Sequence, residues 1–179
     1  MLEILGLLFL LYLLSKTSGI SGTDVLSSFN FDYSGWQYQL GLSESNNNYL
    51  RTNSIGALGR YQFMPTTIRR ISEQRGLTIP TNDEFLRNTI LQDDYFHYMT
   101  DQLKTYIENN LFSFYGKQVT GKTNKINTTI NIYGLLAGGW LSGQGNLINF
   151  LYYGKDISDG DRDEGTYISD YIAKFSKIF

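Results

Sequence analysis

Residues 44–67 read ESNNNYLRTNSIGALGRYQFMPTT, and the interpretation of the whole chain turns on them. Glu44 closes a run rich in rings and aliphatic side chains: Phe29, Phe31, Tyr33, Trp36, Tyr38, Leu40 and Leu42. No Lys or Arg lies within six positions of it on either side. A polar linker, Ser45 to Ser54, follows. Gly56-Ala57-Leu58-Gly59 then lets the backbone bend and approach a ligand closely. Tyr61 and Gln62 come next, and Pro65 in Met64-Pro65-Thr66-Thr67 suits the first turn of a new helix. A carboxyl held against apolar surface, facing a loop that offers an amide and aromatic faces, suits a general acid acting on a sugar.

On these residues the stretch resembles the signature of the lysozyme-like lytic transglycosylases, which cleave peptidoglycan. The pattern is Glu-Ser, a spacer, Ser or Asn, then Gly-Ala-x-Gly-Leu-Met-Gln and Met-Pro-x-Thr. Here it is met by Glu44-Ser45, Asn53, Gly56-Ala57-Leu58-Gly59, Gln62 and Met64-Pro65-Thr66-Thr67, with no gap after the glycine loop. Arg60-Tyr61 stands where the family usually has Leu-Met. A second segment, Ala-Tyr-Asn-Ala-Gly-Pro-Gly, is echoed in Gly139-Trp140-Leu141-Ser142-Gly143-Gln144-Gly145, with Trp140 for the Tyr and Leu141 for the Asn. The Arg60-Tyr61 variant and the final GTYISDYIAKF look more like phage-encoded members than bacterial housekeeping enzymes.

Composition narrows the chemistry. A chain of 179 residues is long enough for one domain with a real core. Aromatic content of 15% is high, and rings serve both cores and sugar sites. A net charge of −2 with no basic run argues against nucleic acid as a partner. Without cysteine there is neither a disulfide nor a thiolate metal site. His97 is the only histidine, which argues against His-based zinc hydrolysis and Ser-His-Asp catalysis. In DDYFHYM it reads as a packing residue. No metal or cofactor is expected. The acidic run Asp159 to Glu164 fits a calcium loop poorly, because the glycine is misplaced and the far bidentate Glu is missing.

The expected fold class is mainly α: a lysozyme-like helical domain over residues 24–179, preceded by a hydrophobic anchor helix. Residues 1–16 read as a membrane anchor or signal segment, with an apolar run from Ile4 to Leu14 that is short for a full span of roughly 20 residues. Glu3 spoils the usual positive leader, which favours an uncleaved anchor. Residues 17–23 form a flexible tether. Helices are expected from Asp32 or Ser34 to Glu44, from Pro65 to Arg75, and as one long region from Asn82 to Leu111. Further helices are expected over Asn127–Leu141, Leu147–Tyr153 and Thr166–Phe175. Gly116 to Lys125 (GKQVTGKTNK) reads as a basic surface loop, with contact to acidic peptide stems as the functional alternative. The Gly138-Gly139 pair is expected to admit another helix closely. No alternating run suggests a large sheet.

A glycosidic general acid must hold its proton near neutral pH, so a Glu needs a pKa above its ordinary value of about 4.3. Aromatic burial is the expected cause at Glu44. Most glycosidases add a second carboxylate. The resemblance implies otherwise: Glu44 acts first as acid, then as base toward the 6-hydroxyl of N-acetylmuramic acid, giving a 1,6-anhydro end without water. It also implies that Ser45 bonds near the carboxyl, and that Asn53, Gly59 and Gln62 bind the glycan or its acetamido group. Tyr61 and Trp140 would stack on sugar rings, and Tyr133 would bring a hydroxyl near Glu44. Leu141 removes a polar contact the family has. The implied partner is peptidoglycan, met at a membrane facing the periplasm or cell wall, or on a virion. The competing readings are a hydrolytic muramidase and a non-catalytic wall-binding or virion structural protein that keeps only the fold.

Overall fold

The computed structural model describes residues 31–158 and 165–179. The expected anchor (1–16), the tether (17–23) and the Asp159–Glu164 run lie outside the described residues. Among the described residues the chain is mainly helical, as expected, and no helix is long and apolar enough to cross a membrane. Two compact units divide it, one covering Phe31–Gln102 and one holding Leu103–Phe179.

The first unit opens with helix α1, Tyr33–Ser45, whose N-terminus is capped by the Asp32 carboxylate accepting from the Gly35 amide at 2.8 Å. Trp36 and Leu40, one turn apart, are fully buried. The helix stops because Asn46 turns left-handed (φ 59°), so that the Asn46 and Asn47 amides close onto the Leu42 and Gly41 carbonyls. Helix α2, Pro65–Gln74, starts on the proline and buries Ile68, Ile71 and Ser72.

One long helix was expected from Asn82. The structure has two: α3, Asn82–Arg87, and α4, Thr89–Asn110. Asn88 ends the first at φ −104°, ψ 87°, and its side chain accepts from the Leu91 amide at 2.9 Å in the first turn of the second. A single Asn therefore closes one helix and caps the next. Thr81 and Glu84 form the capping box of α3.

The core of this unit is aromatic. Tyr61 stacks on Phe96 (4.5 Å) and meets Phe63 edge-on, Phe63 meets Phe85, and Phe85 meets Tyr95. Buried polar groups are matched: Trp36 Nε1 donates to Thr100, and the Ser72 and Tyr95 hydroxyls pair at 2.7 Å. His97 is exposed, with its ring beside Tyr33 and Phe96.

In the second unit the expected loop is partly a hairpin. Strand β1, Gln118–Thr120, pairs antiparallel with β2, Asn127–Thr129, in the register Gln118 to Thr129. Only Val119 of β1 is buried, too short an alternation to stand out in the sequence. The helix expected from Asn127 begins later. Asn131 caps α5, Ile132–Tyr153, by accepting from the Gly134 amide. The two helices expected here are both present within α5, separated by a kink at Gly143 (φ 77°), and left-handed Gly154 ends the second. Helix α6, Ile168–Ile178, packs on α5. A Cβ on Gly138 would lie 2.8 Å from Ile172 Cγ1, and one on Gly139 would lie 2.9 Å from Leu103 Cδ1, so the glycine pair does admit close neighbours.

Candidate active site

Glu44 lies in the last turn of α1 and is half-buried. It follows Leu40 and Gly41 on the helix by four and three residues, which puts it on the stripe that carries them. Its neighbour Ser45 is buried. The Ser45 hydroxyl donates to the Arg60 carbonyl at 2.8 Å and accepts from the Asn48 amide at 2.9 Å. Thus the residue after the candidate acid ties the helix end to the glycine loop.

That loop is built from short backbone bridges, Thr52 with Leu58 and Leu58 with Phe63. Asn53 shapes its tip: its side-chain oxygen accepts from the Ile55 and Ala57 amides at 3.1 and 2.8 Å. This is a turn-forming role. Gly59 (φ 76°) is buried, and its amide donates to the Arg51 carbonyl at 2.7 Å. A Cβ there would sit 2.1 Å from Gln92 Oε1. Gln62 also has positive φ (51°), and its amide group donates to the Gly59 carbonyl at 2.8 Å. It is half-buried at the loop's end.

Tyr61 differs from the expected stacking face. Its ring is fully buried against Phe96, and its hydroxyl accepts from Gln37 Nε2 at 2.7 Å while donating to Asp93 at 2.5 Å. Burial, followed by the hydrogen bond to Asp93, holds that hydroxyl well above the ordinary tyrosine range. A ring in a packed core has no face left for a sugar. Tyr133 and Trp140 stand on α5 in the other unit, both half-buried, with the Tyr133 ring stacked on Phe179 at 3.9 Å.

Gln92, which the sequence did not single out, and Asp93, which it offered only as a carboxylate able to reach a cleft, anchor the loop. Gln92 is fully buried: Oε1 accepts from the Arg60 amide at 2.9 Å, and Nε2 donates to the Phe85, Leu86 and Tyr49 carbonyls. Asp93 accepts from the Tyr61 and Tyr49 hydroxyls. The other carboxylates of α4 in this unit are also engaged, Asp94 by Arg75 and Asp101 by the Tyr33 hydroxyl.

No protein-family profile matches the chain, and no curated protein matches it. Among solved structures, its fold is similar to that of an inactive Glu-to-Gln mutant of the lytic transglycosylase Slt from Pseudomonas aeruginosa, with a TM-score of 0.51 and 15% identity. The match covers 79% of this chain and 20% of that one, so the chain spans about a fifth of that protein's length. The described residues thus have a fold of the lytic-transglycosylase, lysozyme-like kind.

Proposed function

We propose that the protein is a peptidoglycan lytic transglycosylase, with Glu44 as the acid that protonates the bridging oxygen between N-acetylmuramic acid and N-acetylglucosamine. The observation that carries this reading is the tie from Ser45 to the Arg60 carbonyl, which joins the end of the Glu44 helix to the Gly59–Gln62 loop in a fold like that of Slt. Glu44 sits in the last turn of α1, at the negative end of the helix dipole. After protonation the C–O bond breaks and positive charge grows at the anomeric carbon. Glu44, now a carboxylate, takes the proton of the sugar's own 6-hydroxyl as that oxygen closes the 1,6-anhydro ring, so no water is consumed.

Gln62 and the backbone at Gly59 are the groups assigned to the glycan, and Trp140 and Tyr133 are assigned to sugar contacts from their own unit. Residues 24–179 form the domain, 17–23 the tether and 1–16 the attachment to a membrane facing the wall. The Arg60-Tyr61 variant favours a phage-encoded, virion-associated enzyme. Mass spectrometry of digested peptidoglycan tests the chemistry. The lyase reading expects anhydro-muramic ends, whereas reducing ends that carry added water would reject it in favour of hydrolysis.

A further inference from the structure

Arg60 and Tyr61, the residues that depart from the resembled pattern, share one partner in the structure. Two hydrogen-bond chains converge on Asp93. In one, Gln37 Nε2 donates to the Tyr61 hydroxyl, which donates to Asp93 Oδ1 at 2.5 Å. In the other, Arg60 NH1 donates to the Tyr49 hydroxyl at 2.7 Å, which donates to both Asp93 oxygens at 2.9 and 3.0 Å. Arg60 NH1 lies 3.8 Å from Asp93 Oδ1, so the cluster carries a balanced pair of charges. The Arg60 side chain in turn runs over Gly41, one turn before Glu44: a Cβ on Gly41 would lie 2.7 Å from Arg60 Nε and 2.4 Å from Asn47 Oδ1.

We propose that Asp93 is a positioning residue, whose carboxylate gathers the side chains of Tyr49, Arg60 and Tyr61 and so fixes the Gly59–Gln62 loop against α1, whose last turn carries Glu44. The inference rests on the reading of Glu44 and Gln62 given above. Where the resembled pattern has an apolar Leu-Met pair, which can be held by packing, this chain holds the same two positions with hydrogen bonds to α4. Each tyrosine hydroxyl has both a donor and an acceptor, so each ring is locked in rotation as well as in depth. Asp93 touches no substrate in this account; it acts through Arg60 and the two tyrosines. A loop displaced by about 1 Å from its productive place costs on the order of a hundredfold in rate.

The test compares the full-length wild type with Asp93→Ala, Asp93→Asn, Glu44→Gln and the Glu44→Gln/Asp93→Ala double variant. Rates on purified peptidoglycan are taken well below each variant's melting temperature. Asp93→Ala is expected to lower kcat at least about tenfold while the circular-dichroism spectrum stays native. Asp93→Asn keeps an acceptor oxygen for the hydroxyls and is expected to stay within about threefold of wild type. In the inactive Glu44→Gln background, Asp93→Ala is expected to weaken binding of purified glycan strands about fivefold or more, a readout independent of turnover. Wild-type kcat in Asp93→Ala, equal losses in Ala and Asn, or a loss that vanishes at temperatures where the variant is fully folded each overturns the positioning role. Glu44→Gln with wild-type turnover instead overturns the functional reading, and the inference with it.

Discussion

Of the two glycines in the loop, Gly59 has the less room. Its backbone is left-handed, and the space a side chain would fill is occupied by Gln92 Oε1. Gly59→Ala therefore forces a strained φ and pushes Gln92 off the Arg60 amide. The expected loss is roughly 2–4 kcal/mol of stability, measured by urea unfolding. Gly56 offers a contrast, since nothing stands near its missing Cβ. The bend at Gly59 was legible because a backbone requirement leaves a glycine as its local mark. Tyr61 was misjudged because a ring's composition does not say whether it faces water or core. Asp93, Tyr49 and Gln37 decided that outcome, and they lie 32, 12 and 24 positions away. Gln92 was missed for the same reason, since a buried amide serving four backbone groups has no local signature.

At the scale of elements, ends were harder to read than interiors. Pro65 and Thr81 announce helix starts by known chemistry, and both starts are where the sequence put them. The stop of α1 falls within one residue of its expected place, but Asn88 ends a helix inside a continuous pattern, and Asn is also an ordinary linker residue, so that stop was unreadable without the fold. The hairpin turn lies on the surface, as expected, and is also stapled to α6. Asp170 accepts from the Thr123 and Asn124 amides at 2.8 and 3.0 Å and from the Thr123 hydroxyl at 2.7 Å. Burial pushes its carboxyl up, and the bonds from Asn124, Thr123 and the Tyr167 amide outweigh this and hold it below the usual aspartate range. A carboxyl depressed by folding stabilises the native state above its unfolded value of about 3.9, and that contribution fades as pH falls through the lower folded value. Asp170→Asn is thus expected to cost about 1–3 kcal/mol at pH 6, with the gap to wild type narrowing toward pH 3. Hydrogen exchange at the Thr123 and Asn124 amides reads the same change locally. A gap that is flat with pH would remove the carboxylate from this role.

For the whole molecule, a mainly helical fold was legible because apolar residues recur at helical spacing along the chain. The resemblance in the sequence and the likeness to Slt at 15% identity are separate lines to the same fold. The division into two units was not legible, since it falls inside α4, between Gln102 and Leu103, where no break in pattern marks it. The proposed function hangs on one carboxyl in the last turn of α1. The most direct test is release of soluble fragments from purified cell walls by wild type and by Glu44→Gln, at equal concentration and with matching melting temperatures. The account predicts release by the wild type and a loss of about a hundredfold or more in the variant. Equal release by the two proteins would contradict it.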